Sequence, residues 1–307
     1  MKRLVLALTI IAMTTVNTAV MAQDSVIAVA CGAEFVPQSG TFSGTELPYR
    51  KASLGNAADG KAALVMYLHG GTSKGSDNAA QMNEPGIDSI ARYIMSNGIH
   101  ATFIVPQCPK DKSWGGAMNA VLKGLLDRFA LSDTTDTDRI YIFGGSMGGT
   151  GTWGMVSSYP DLFAAAMPVA GDPSKCSAAS VAHTPVFTVM GTADAIMKIS
   201  NVQTFTDQLS ELGGEYMFET EEGWTHETTC IESYNARRLD WVFGHKKSTN
   251  PSAGVDAAPV SDEIKDVKYY TMGGMEVAKP ASGGAYVERT VHADGRIAVR
   301  KLFLRTR

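Results

Sequence analysis

The stretch Ile140-Tyr141-Ile142-Phe143-Gly144-Gly145-Ser146-Met147-Gly148-Gly149 decides how this chain is read. An apolar run ends in glycines that bracket one serine, and residues 150–158 can continue as a helix. Between a strand and a helix, Gly-x-Ser-x-Gly lifts a serine onto a tight turn. The backbone there is driven toward angles that side chains resist, and bulk at Gly144 or Gly148 would collide with the strand or the helix. The serine oxygen then projects from the sheet edge at the positive end of a helix. Taken alone, the pattern describes a glycine-rich turn around an ordinary serine equally well, so the surroundings have to decide.

Those surroundings alternate. Residues 62–68, Ala-Ala-Leu-Val-Met-Tyr-Leu, form the continuous apolar run expected of a strand buried on both faces, and they end in His69-Gly70-Gly71-Thr72. Further strands are predicted at 100–105, 139–143, 163–169, 186–190 and 215–219, and helices at 87–97, 114–131, 202–212 and 231–243. In the second of these helices Met118, Val121, Leu122, Leu125 and Leu126 share one stripe. Residues 24–56 read as edge strands and turns. The alternation predicts an α/β fold, a mostly parallel sheet with helices on both faces, and places functional groups at the carboxyl ends of its strands.

A hydroxyl is a weak nucleophile until a base takes its proton and a third group orients that base. In this architecture the order along the chain is serine, acid, histidine. Asp194 follows the strand at 186–190 and is the expected acid, with Asp172, one strand earlier, as its rival. His226, in Gly223-Trp224-Thr225-His226-Glu227 ahead of the last helix, is the expected base among six histidines. His69 instead reads as a residue that shapes the early glycine loop. Backbone N–H groups of Met147 and Gly71 are the expected oxyanion donors. Trp114 and Trp224 are candidates for stacking on a substrate, whereas Trp153, inside the helix after the serine, reads as core. This chemistry requires no metal and no organic cofactor.

The chain has 307 residues, is 44% hydrophobic and 19% charged, and carries a net charge of −4, which argues against general nucleic-acid binding. Lys2 and Arg3 precede an apolar run at 4–13, and Val20-Met21-Ala22 offers a small residue for cleavage, so residues 1–22 read as an export signal rather than a membrane span. In an oxidising compartment Cys31, Cys108, Cys176 and Cys230 allow two disulfides, of which Cys176–Cys230 is the favoured pair. Residues 23–245 form the catalytic domain, 246–262 a Ser/Pro/Ala/Lys-rich linker, and 263–307 a small β unit. From 265 to 307 nine Lys or Arg face four acids, and Asp294-Gly295 signals a hairpin.

The motif set is similar to secreted α/β-hydrolase esterases of the phospholipase/carboxylesterase, feruloyl esterase and polyhydroxybutyrate depolymerase group, some of whose relatives are labelled predicted peptidases. The resemblance runs from about residue 47 to 245. It rests on Leu68-His69-Gly70-Gly71, Gly75-Ser76-Asp77-Asn78, Pro106-Gln107-Cys108-Pro109, the stretch from Gly144 to Trp153, and Tyr159-Pro160-Asp161-Leu162-Phe163-Ala164-Ala165. It implies a Ser146–His226–Asp194 triad and a serine esterase acting on polysaccharide esters, acetyl or feruloyl. A peptidase of the same fold, or a non-catalytic binding protein built on it, are the alternatives. Met190 departs from the pattern, since relatives often carry histidine there. The tail, with Gly274-Met275-Glu276-Val277-Ala278-Lys279-Pro280 and Gly284-Ala285-Tyr286-Val287, more weakly resembles C-terminal sorting domains, implying contact with secretion machinery or the cell surface.

Overall fold

The computed structural model describes residues 25–247, 264–271, 275–281, 285–292 and 297–303. They belong to two units that divide between Ala253 and Gly254. The signal read at 1–22 and the linker from 248 onward lie outside the described residues.

The strand feeding Ser146 is β6 (Thr135–Gly145), which takes its place in a nine-stranded sheet with β1 (Ile27–Ala28), β2 (Glu34–Phe42), β3 (Thr45–Leu54), β4 (Ala62–Leu68), β5 (Ala101–Pro106), β7 (Ala165–Val169), β8 (Val186–Gly191) and β9 (Tyr216–Glu221). The order across the sheet is β1-β2-β3-β5-β4-β6-β7-β8-β9. The first three strands and β5 pair antiparallel, and every pairing from β5 through β9 is parallel. From β4 the chain runs to β5 on one side and then returns past β4 to β6 on the other. The winding reverses there, so a crevice opens between the carboxyl ends of β4 and β6, the place where open α/β sheets bind ligands. The loop at Gly70-Gly71 and the turn at Ser146 stand on its two sides.

All seven residues of β4 are buried. Val65 and Tyr67 face a core closed by α1 (Pro85–Ser96) and α7 (Ala236–Phe243), while Leu64 and Met66 face a second core closed by α2 (Ala117–Ala130), α3 (Met147–Ser158) and α5 (Ile199–Glu211). A continuous apolar strand is what this arrangement demands, because neither face meets water. Each fully buried Leu, Ile or Val contributes about 1.5–3 kcal/mol. The predicted stripe of α2, from Met118 to Leu126, is buried at all five positions.

Two expectations need correction. The helix expected over 231–243 is two helices, α6 (His226–Glu232) and α7, with the short α4 (Ala178–Val181) lying earlier in the chain. Asn235 adopts an extended conformation and its side chain accepts the Arg238 N–H at 3.2 Å, which starts a new helix where the apolar pattern alone suggests continuity. His226 opens α6 and, as expected, lies ahead of the last helix, α7. The favoured Cys176–Cys230 disulfide is absent, and all four cysteines are free thiols. Cys230 packs against the core on the α1/α7 face and Cys176 against the opposite core, so the sheet separates them.

The second unit is an antiparallel sheet in the order β11-β10-β12-β13, from β10 (Ile264–Thr271), β11 (Glu276–Val277), β12 (Ala285–His292) and β13 (Ile297–Phe303). β12 and β13 pair from Val291↔Ile297 to Ala285↔Phe303. The hairpin turn read at Asp294-Gly295 lies outside the described residues. No helix among the described residues is long and apolar enough to cross a membrane.

Candidate active site

Ser146 caps α3 with φ 58° and ψ −120°, a left-handed conformation that an L-residue occupies at a cost of about 1–3 kcal/mol. Its neighbours hold it there. The Ser146 N–H donates to the Val169 carbonyl at 3.0 Å, and the Ser146 carbonyl accepts the Thr150 N–H at 3.0 Å. A side chain at Gly144 would lie 2.5 Å from the Gly148 carbonyl, and one at Gly148 would lie 1.8 Å from the Leu68 carbonyl oxygen. The helix therefore sits directly on the ends of β4 and β6, and both glycines are required by contact.

His226 meets the serine from the other side. Its Nε2 is 2.7 Å from Ser146 Oγ, and its Nδ1 is 2.8 Å from Asp194 Oδ2. A carboxylate only accepts, so Nδ1 carries the hydrogen and Nε2 presents its lone pair to the serine O–H. Asp194 is itself fixed, since Oδ1 accepts the N–H groups of Ile196 and Met197, both at 2.8 Å. The Asp194 side chain is fully buried and that of His226 is 14% exposed. The loops carrying acid and base are tied together, because Ala193 N–H donates to the Trp224 carbonyl at 3.0 Å. Asp172, the rival acid, is engaged elsewhere, with its Oδ1 accepting from Ser174 N–H and Asn201 Nδ2.

Gly71 and Met147 each open a helical turn, Gly71–Ser73 and α3 respectively, so neither N–H has an acceptor within its own helix. The space beside the Gly71 Cα is open, and a side chain on Gly70 would come within 3.8 Å of Ser146 Cβ. His69 holds this loop from inside. It is fully buried, its Nδ1–H donates to the Gly70 carbonyl at 2.6 Å, and its Nε2 accepts the Cys108 N–H at 2.9 Å.

Burial lowers the His69 pKa to about 4. The unfolded chain therefore binds a proton that the folded one refuses. The stability gained by keeping His69 neutral is complete above about pH 6.5 and is lost as the pH falls toward 4, by about 3 kcal/mol in all. Urea titrations of the parent and of a His69→Gln variant are expected to show a shallower pH dependence in the variant across that window. Parallel curves would contradict this role.

The two tryptophans part company. Trp114 is corrected from substrate contact to scaffold: it is 4% exposed, donates Nε1–H to the His69 carbonyl at 3.0 Å, and packs edge-on against the His69 ring. Trp224 is half-buried between β9 and α6, with the Arg238 guanidinium 5.7 Å from its ring centre. Trp153 is fully buried. Sequence reading named one group at the site, Cys230, only as a disulfide partner, and missed another, Glu84. Cys230 Sγ fills the space beside Gly145, 3.3 Å from where a side chain there would begin. Glu84 reaches the glycine loop from the start of α1, where Pro85 at the first helical position marks an ordinary helix entrance and hides any second role of its neighbour.

Residues 121–174 match the prolyl oligopeptidase family. A stretch of 82 residues is 35% identical to poly(3-hydroxyalkanoate) depolymerase C of Paucimonas lemoignei, covering 27% of this chain and 19% of that one. Among solved structures, a thermostable esterase superposes with a TM-score of 0.62 at 26% identity, over 69% of this chain and 63% of that one. S-formylglutathione hydrolase from Agrobacterium tumefaciens superposes with a TM-score of 0.55 at 16% identity, over 72% and 99%. The fold is that of the α/β-hydrolases, and the chain spans less than two thirds of the length of both the depolymerase and the thermostable esterase.

Proposed function

We propose that the protein is an exported carboxylic ester hydrolase working through an acyl-enzyme on Ser146, with acetyl or feruloyl esters of plant polysaccharide as its substrate class. The observation that carries the reaction is the unbroken line from Asp194 through His226 to Ser146, at 2.8 and 2.7 Å. His226 Nε2 takes the serine proton as Oγ attacks the ester carbonyl. Asp194 keeps the imidazole oriented and stabilises the imidazolium that forms. The Gly71 and Met147 N–H groups hold the oxyanion, each worth about 3–4 kcal/mol in a comparable site. His226 then returns the proton to the leaving alkoxide. A water, deprotonated by the same nitrogen, releases the acid and restores the serine.

Esterase rather than peptidase chemistry is supported by the 26% identity to a solved esterase and the 35% match to a polyester depolymerase. A half-buried Trp224 two residues before the base supports a sugar or aromatic acyl group. Residues 1–22 support export, and the tail at 263–307 is read as a sorting or surface-contact element. A second substrate, an aliphatic polyester, is favoured by the depolymerase match and by Ile196, 67% exposed two residues after Asp194. The test is a panel of feruloylated xylan, acetylated xylan, poly(3-hydroxybutyrate) film and peptide anilides, given to the chain from residue 23 onward. Fastest release of ferulate or acetate is expected. Turnover confined to peptides makes the protein a peptidase, and turnover confined to the film moves the substrate to polyesters.

A further inference from the structure

We propose that Glu84 is a positioning residue for the oxyanion site, fixing the turn that presents the Gly71 N–H. The proposal rests on the reading of Gly71 as a donor. One carboxylate oxygen, Oε1, accepts both the Gly70 N–H at 3.0 Å and the Ser73 O–H at 2.8 Å. These two residues bracket Gly71 and Thr72, so the carboxylate spans the turn from end to end. The turn's own hydrogen bond, from the Ser73 N–H to the Gly70 carbonyl, is long at 3.4 Å. Hydrogen bonds to an ionised acceptor are roughly twice as strong as neutral ones, so Glu84 is the principal tie.

Two consecutive glycines make this tie necessary. Gly70 and Gly71 leave room for a substrate carbonyl but have no side chains to limit their motion. An oxyanion donor works only when held within about 0.5 Å of its productive place. The peptide unit carrying the Gly71 N–H is gripped at its Gly70 end by two contacts. His69 Nδ1–H donates to its carbonyl oxygen, that of Gly70, and Glu84 anchors the Gly70 N–H just before it. Glu84 is rigid in turn, because it caps α1 and its carbonyl accepts the Ile87 N–H at 3.1 Å. Its carboxylate also lies close to the nucleophile: a side chain on Gly70 would be 3.5 Å from Oε1 and 3.8 Å from Ser146 Cβ.

The role belongs to an acceptor atom in one place, and glutamine retains such an atom. Steady-state kinetics on p-nitrophenyl acetate are therefore measured for Glu84→Ala and Glu84→Gln, with Ser146→Ala as reference and thermal unfolding of each. Glu84→Ala is expected to lower kcat about 10–100-fold with KM within about twofold, since the oxyanion contact forms only in the transition state. Glu84→Gln is expected to recover kcat to within about threefold of the parent. If Glu84→Ala does not fold, Ser73→Ala removes one of the two bonds and is expected to lower kcat about 3–10-fold. Parent-level kcat in Glu84→Ala, or in Ser73→Ala where it stands in, overturns the proposal. So does an effect on KM alone, or an equal loss in the alanine and glutamine variants at 84. An active Ser146→Ala would instead overturn the reading of the site itself, which separates the two failures.

Discussion

Alanine at position 146 is expected to lower kcat/KM for p-nitrophenyl acetate by roughly 10⁴–10⁶-fold while leaving the thermal midpoint almost unchanged. His226 Nε2 lies 2.7 Å from Oγ, and no acyl-enzyme forms without that oxygen. Whatever acceleration survives comes from the oxyanion donors and binding alone. Stability is insensitive because alanine inherits the same left-handed backbone, at φ 58°. Glycine is the informative companion. Ser146→Gly should be just as inactive but more stable than Ser146→Ala by about 1 kcal/mol. It releases a strain of about 1–3 kcal/mol against an unfolded-chain entropy cost of about 0.4–1. Urea unfolding of the two variants reads this difference. Activity above about 1% in Ser146→Ala would remove Ser146 as nucleophile, and a less stable glycine variant would remove the strain argument.

The parts of this structure that can be read without coordinates are those enforced locally. The run at 62–68 has to be a doubly buried strand, since seven apolar residues without alternation leave no face for water. Gly144 and Gly148 announce the turn because only contact with backbone excludes a side chain from both. The order Ser146, Asp194, His226 follows from the winding of the sheet, and the structure brings those three side chains together. What escapes is set by distant parts of the chain. Trp114 sits in a glycine-flanked loop like a ligand-binding residue, yet the loop folds inward onto His69. Cys176 and Cys230 each follow core strands, but which face of the sheet each reaches is a matter of crossover handedness. Glu84 is an ordinary helix entrance until β4 brings Gly70 beside it.

The glycines of α3 give the second large effect, and with it a test of how tightly the turn is seated. Gly148→Ala is expected to destabilise the fold by about 4 kcal/mol or more, because the new methyl would lie 1.8 Å from the Leu68 carbonyl oxygen and 2.5 Å from its carbon. Those atoms are backbone in a strand buried at every position, so no flexible side chain can give way. Relief requires α3 to withdraw from β4. That motion also separates the Met147 N–H, at the start of α3, from Gly71, at the end of β4, and a misplacement of about 1 Å costs on the order of 10²-fold in rate. Stability and activity should therefore fall together. Gly154, six residues further along the same helix, is the control. The nearest atoms to a methyl there are the Asn119 side chain at 3.5 and 3.6 Å and the Gly115 Cα at 3.7 Å, all ordinary contacts. Gly154→Ala should raise stability by about 0.5–1 kcal/mol through helix propensity alone, with activity retained. Opposite signs at two glycines of one helix, read as midpoints of urea unfolding, distinguish a seat against β4 from a general intolerance of α3. Equal losses at both positions would show that the helix, and not its contact with Leu68, is what alanine disturbs.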